Sequence, residues 1–435
     1  MSNEGPLLRD YAGSYEPDLH LGRLSRDLLA RLGREWLLHG HLMDRVGVPM
    51  VLSSGGTRDD VEQIAIEEWM SASPVYSRRM QRAMGFTGTT VATILKNLQL
   101  DIGAPHQFLD FRLKLVDADH AEFHLPYCGA LMDVEPMGDD WVRGMCHRIE
   151  DPTFDATATA SNPHAQMRPI HRPPRVPVDR APHCQWRIDI VPEAPAAQAH
   201  PNEELVAASL AAQLPTPVPD AEVEPGGWAD YAGDFDTDFE LEDLTHGAQQ
   251  VVLKEVALQS HLLARGFLTA MGQHLGAEQA AAAAPRILVG LAGLTAQRLR
   301  DALAITDTDA AGIAKVLQLH PAFYPRDYVG IDVRLVDATA VRVAFTDAPI
   351  WAEPKPLTWA AALAADGARV LATIGRAIDP TADCEPADVA AGERLAFVIR
   401  TGVLAEPAAE PIELTLAKIS KGASFALLQR RKVRV

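Results

Sequence analysis

His120, Glu122 and His124 alternate along a run in which the intervening positions, Ala121, Phe123 and Leu125, are apolar. Successive side chains of an extended strand point to opposite faces, so two imidazoles and a carboxylate project from one side. Such a set suits a borderline divalent metal, zinc or iron, with His120, His124 and Cys184 as ligands; it also describes an ordinary solvated strand face. Cys128 follows closely, then Cys146-His147 and His183-Cys184. A thiolate of Cys128 or Cys146 could serve as nucleophile or ligand, with His147 or His183 as its base or activating cation and Glu122 moving protons. The cysteines do not form the closely spaced pairs of zinc ribbons or fingers, and a buried free cysteine is also a common small core residue.

A cationic stretch adds a second chemistry. His164, Arg168, His171, Arg172, Arg175, Arg180, His183 and Arg187 are interleaved with Pro169, Pro173, Pro174, Pro177 and Pro182. A stiff basic loop of this kind could hold a carboxylate or phosphate, with Arg172 and Arg175 orienting a small anionic substrate. The plainer alternative is that its arginines pair with the surface of a chain whose net charge is −18. No glycine-rich dinucleotide turn, phosphate-binding loop, His-Glu-x-x-His or Gly-x-Ser-x-Gly elbow occurs, so no nucleotide cofactor is expected.

The elements that must position these residues are written twice. Asp10-Tyr11-Ala12-Gly13 recurs as Asp230-Tyr231-Ala232-Gly233, an offset of 230 − 10 = 220. At that offset Glu35, Leu38, His41, Leu42 and Arg45 fall on Glu255, Leu258, His261, Leu262 and Arg265, and Leu115 to Ala118 on Leu335 to Ala338. With a one-residue gap, Lys96, Leu98, Gln99 and Leu100 fall on Lys315, Leu317, Gln318 and Leu319. The pattern predicts a tandem duplication, 8–192 and 228–435, packed as an internal pseudo-dimer and joined by an Ala/Pro-rich linker over 193–227 in which Asn202 to Leu214 can form a short helix. Each copy reads as helices followed by strands, an α+β class. Apolar residues at helical spacing run from Leu24 to Val46 and from Arg58 to Met84, and Phe111 to Leu125 reads as a hairpin turning at Val116 to Asp119.

Within that repeat the chemistry is lopsided. His39, His120, Glu122, His124 and Cys128 face Gln259, Ala340, Arg342, Ala344 and Ala348; Cys146, His147 and Cys184 face Ala364, Ala365 and Leu395. A structural need for these side chains would have kept them in both copies, so the N-terminal copy is expected to hold the site, with His39 as a further substrate-binding candidate, and the C-terminal copy to be scaffold.

Composition narrows the partners. The acidic balance repels polyphosphate and anionic lipid, which argues against nucleic acid and membrane. No signal-like stretch opens the chain and no run long enough to span a bilayer is apparent, so a soluble cytoplasmic protein is expected, with a homo-oligomer possible. Four cysteines are too few for a disulfide scaffold.

A tryptophan-bearing helix with a second helix after it, Cys128 after a strand, Cys146 shortly beyond, Pro173-Pro174 and a closing Cys184-Gln185-Trp186 resemble the L-2-amino-thiazoline-4-carboxylic acid hydrolase-like group over part of the N-terminal copy. The resemblance implies hydrolytic opening of a sulfur-containing ring, with Cys128, Cys146 and Cys184 as the group's recurrent cysteines. The duplication, the strand histidines and the long basic loop depart from it. The expectation is therefore a metal- or cysteine-dependent hydrolase-like enzyme; the alternative is a non-catalytic metal- or ligand-binding or assembly protein in which the Cys/His cluster is structural.

Overall fold

In a computed structural model, which describes residues 5–428, the chain is a mixed helical and sheet protein with two separate four-stranded antiparallel sheets. Residues 1–4 and 429–435, which include the ends of the N-terminal segment and of the expected C-terminal copy, lie outside the described residues. The first half runs α1 (Arg26–Ser53), α2 (Arg58–Ala83), α3 (Val91–Leu98), β1 (Arg112–Leu115), β2 (His120–Leu125), α4 (Gly129–Val134), α5 (Asp139–Arg143), α6 (Glu150–Thr159), β3 (Ala165–His171) and β4 (Cys184–Ile190). Two short helices, α7 (Pro201–Ala207) and α8 (Leu210–Gln213), lead into α9 (His246–Leu275), α10 (Ala277–Ala302), α11 (Ala310–Gln318), α12 (Arg326–Val329), β5 (Ile331–Asp337) and β6 (Ala340–Thr346). Helix α13 (Trp359–Arg376), β7 (Asp383–Pro386), β8 (Glu393–Arg400) and α14 (Ile412–Ala417) complete it. The sheets have the same strand order, β1-β2-β4-β3 and β5-β6-β8-β7.

Local signals place the long helices. Ser25 accepts from the Leu28 amide, Thr245 from Ala248, and Thr57 with Asp60 makes a reciprocal capping box, so each begins where orphan amides find an oxygen. Helix α9 is buried on nearly every side because α1, α2 and α10 pack around it. Helix α2 lies chiefly along α9 rather than along its own neighbour α1, while α10 packs against α1 as well as α9.

The halves therefore complete each other. Tyr11 donates its hydroxyl to Gln318 at 2.8 Å, and Tyr231 to Gln99 at 2.8 Å. Lys96 donates to the Tyr231 and Gly233 carbonyls, Lys315 to Gly13. Arg298 grips Glu35 at 2.7 Å, and Arg79 grips Glu255 at 2.7 Å with both side chains almost solvent-free. Tyr11, Gly13, Glu35, Lys96 and Gln99, all repeated at the 219–220 offsets, and their counterparts bond across the halves.

The 193–227 segment forms two short helices, α7 and α8, where one was expected over Asn202 to Leu214, and it is not a loose tether. Asn202 pairs with Gln273, the Ala211 amide donates to Glu353 at 3.0 Å, and Arg79 donates to the Ala212 and Leu214 carbonyls. On the other half α14 packs on α10 and α1, and the following turn meets the first half where Ser420 donates to Asp133 at 2.7 Å. One span-length run does exist: α10 has the length and mean hydropathy to cross a membrane, and 78% of that window is buried inside the molecule, where it serves as core.

Removing one partner of a solvent-free ion pair leaves the other uncompensated, which costs about 3–5 kcal/mol. Glu255→Ala is expected to lower unfolding free energy by about 3 kcal/mol, while Glu122→Ala, on an exposed pair with Lys114, changes it by less than about 1 kcal/mol; urea titration of both variants checks this.

Candidate active site

The hairpin forms as its pattern requires: Ala121, Phe123 and Leu125 are buried and their neighbours face outward. Cα pairing sets Leu125 against Cys184 and His124 against Gln185. Cys184 therefore lies on the core face with Leu125, and His120 and His124 lie on the opposite face. His120 is exposed and bonded to Asp117 at 2.8 Å, and Glu122 faces Lys114 at 3.7 Å. A sheet thus separates the histidines and Glu122 from Cys184, so the expected zinc or iron set does not converge. Among the described residues no group of three or more His, Cys, Asp or Glu side chains is placed to hold a metal ion.

The arginines expected to clamp an anion are engaged. Arg175 holds Glu135 through two bonds, at 2.9 and 2.6 Å, and Arg172 pairs with Asp151 while its guanidinium sits over Trp186. His39 lies at the crossing of the halves, bonded to Thr295 at 2.7 Å and edge-on to His320, and burial holds its pKa well below the ordinary value. His147 bonds the Pro173 carbonyl at 2.7 Å, and His183 accepts the Cys128 amide at 3.2 Å. No hydrogen bond links either imidazole to a thiol among the described residues.

The cysteines do come together. Cys128, Cys146 and Cys184 are all buried, each thiol is raised by burial first and by Glu150 next, and those of Cys146 and Cys184 feel Cys128 as well. Cys128 caps α4, its Sγ accepting from Leu131 at 3.3 Å, yet burial outweighs that bond and pushes the thiol to about 12. Glu150 is itself pushed up to about 8 by burial, against the opposing pull of Arg172. Between α5 and α6 the helix widens into a π-helical turn over Gly144–Ile149, which carries Cys146 inward just before Glu150. A Cβ at Gly144 would meet a Glu62 oxygen at 2.5 Å, so a larger residue there displaces the carboxylate that holds Arg148.

Cys128, Cys184 and Glu150 open onto a cavity of about 410 Å³ between the C-terminal part of α1, α2, the α4–α6 segment and the turn after α14. Its wall is mainly apolar and carries Cys128, Cys184, Glu150, Asp44, Asp101 and Arg45. Arg45 pairs with Asp133 at 3.3 Å. Tyr76 donates to Asp101 at 2.8 Å, and burial moves that carboxyl up to about 6. Behind the wall Glu68 is wholly buried beside Asp44, and neither of its oxygens nor Asp44 Oδ1 has a hydrogen-bond partner among the described residues. Burial and the Asp44 charge push Glu68 well above the carboxylate range.

Sequence reasoning missed Asp44, Glu68, Tyr76, Asp101 and Glu150, and met Arg45 only as a repeat of Arg265. The signal was in the repeat. At 264 − 44 = 220 Asp44 faces Ala264; at 219, the register of Lys96 and Lys315, Glu68 faces Ile287 and Asp101 faces His320; at 218, the register of Trp141 and Trp359, Glu150 faces Ala368. The second half builds its sheet and helices without a single one of these carboxyls.

The fold and site define an α+β protein with a helical centre and one cavity lined by buried thiols and carboxyls in its first half. Comparison with protein-family models, with curated proteins and with solved structures finds no match.

A carboxyl whose folded pKa lies above its unfolded value favours the native state when protonated, so that stability is intact below the ordinary 4.5 of Glu150 and is lost as pH rises through about 8. Thermal melts of Glu150→Gln and the wild type are expected to differ little at pH 4.5 and to separate progressively towards pH 8.5, the variant melting higher. Asp101 gives the same sign between its ordinary 3.8 and about 6.

Proposed function

We propose that the chain is a tandem duplication whose N-terminal copy is a hydrolase-like enzyme acting on a small molecule held in the 410 Å³ cavity, with the C-terminal copy as the scaffold that completes the core. The observation that carries this reading is the set of buried proton-bearing groups, Glu150 with three thiols and Asp44 with Glu68, whose counterparts in the other half are inert. Buried carboxyls oppose folding unless something compensates them. A fold that manages without them in one half retains them in the other for chemistry.

Glu150 is placed for general acid–base work: a carboxyl with pKa near 8 is poised to take and return a proton at neutral pH. The thiols are un-ionised in this environment, so Cys128 becomes a nucleophile where its proton passes to the ionised fraction of Glu150 with substrate in place; attack of water with that carboxylate as base uses the same groups. The resemblance to the L-2-amino-thiazoline-4-carboxylic acid hydrolase-like group supports ring opening, in which one water is consumed and one ring bond broken. A metal has no part in this reading, because the expected donors lie on opposite faces of a sheet. Free, reduced cysteines fit a cytoplasmic location.

Turnover of L-2-amino-thiazoline-4-carboxylic acid and of a panel of small cyclic amides and thioethers tests the proposal. Glu150→Gln and Cys128→Ala are each expected to reduce kcat by about 10²-fold or more; activity unchanged in both would sink it. The elevated thiols favour a second reading, a ligand-binding or assembly protein, for which binding without turnover is the expected result.

A further inference from the structure

We propose that the ligand of the cavity is a lipophilic amine, one protonated nitrogen on an apolar body, with its charge received by Asp44 and its body by the aromatic wall. The inference rests on the cavity's being the reaction site and adds the substrate class to it.

The charge inventory comes first. Asp44, Glu62, Asp101, Asp133 and Glu150 lie on the wall, against Arg45 as the one arginine or lysine among the described lining residues. Most of these acids are already engaged. Glu62 holds Arg148 through two bonds, Asp133 holds Arg45 and Ser420, Asp101 accepts from Tyr76 and the Gly103 amide, and Glu150 lies near Arg172. Asp44 is different. Its Oδ2 accepts the Trp69 indole at 3.2 Å, while its solvent-shielded Oδ1 has no hydrogen-bond partner among the described residues. Neither Glu68 oxygen receives an N–H or O–H from another described residue, although that side chain is wholly buried. With Glu68 held in its protonated form by burial, Asp44 is the acceptor left short of a donor, and a cationic N–H group supplies one.

The second observation is independent of charge. Trp69, Tyr76, Phe111, Trp141 and Phe154 line the same space, and Trp69 adjoins Asp44 through its indole bond. Aromatic faces attract a cation within about 6 Å and bury the carbon skeleton attached to it. An anion entering here would meet five carboxyls and a single, already paired guanidinium. The basic loop does not alter the balance, since Arg172 and Arg175 are held by Asp151 and Glu135.

Isothermal calorimetry on the full chain at neutral pH separates the possibilities with three probes on one skeleton: 4-phenylbutylamine, 4-phenylbutan-1-ol and 4-phenylbutanoate. The amine is expected to bind at least about tenfold more tightly than the alcohol, with the carboxylate weakest. Asp44→Asn, which keeps the side-chain shape, is expected to lose about tenfold in amine affinity and leave the alcohol unchanged. The wild-type ranking stands as a test even where that variant fails to fold. A carboxylate that binds as well as the amine, or no binding by any of the three, overturns the proposal. Amine binding with no turnover by the wild type would sink the hydrolase reading alone; turnover lost in Glu150→Gln with carboxylate preferred would sink this one alone.

Discussion

Neither half of this protein closes its own core. Helix α2 lies along α9, α10 against α1, and each N-terminal arm bonds the opposite half through Tyr11 or Tyr231. Two buried arginine–glutamate pairs, Arg79 with Glu255 and Arg298 with Glu35, sit across that exchange. Guanidinium and carboxylate taken out of water tolerate little displacement, so these pairs fix how the long helices cross. The sheets, carried outside the helical centre, inherit their positions from it.

The cavity follows from the same arrangement. It lies where α1 and α2 of one half spread apart and the turn after α14 of the other half reaches across, tied down by Ser420 on Asp133. At the matching place in the second half Glu353 accepts from Tyr328 and from the Ala211 amide and pairs with Arg265, whereas Asp133 accepts from Ser420 and the Lys421 amide and pairs with Arg45, with Phe108 in the place of Tyr328. Exchanging Ala264 and Ile287 for Asp44 and Glu68 then turns an apolar interior into one that holds protons. Burial does the rest. The Cys128 thiol and the Glu68 and Glu150 carboxyls are moved upward together, so these groups hold protons, a state suited to acid–base chemistry at neutral pH.

By itself the sequence determined the α+β class, the long helices, the hairpin and the halves' common order, because periodicity of apolar residues and capping oxygens act over a few neighbours and need no tertiary contact. It also marked Cys128, Cys146 and Cys184 as a set, through their joint replacement in the second half. Tertiary structure alone decided which side of the sheet each ligand-type residue serves: alternation put His120 and His124 on one face, and only the pairing of β2 with β4 showed Cys184 on the other. It alone turned Arg172 and Arg175 into ion-pair partners and revealed Glu68 as buried and Asp44 and Glu150 as half-buried on a cavity wall. A carboxylate on an amphipathic helix reads as solvated until the helices packed against it are known, since burial belongs to neighbours distant in sequence.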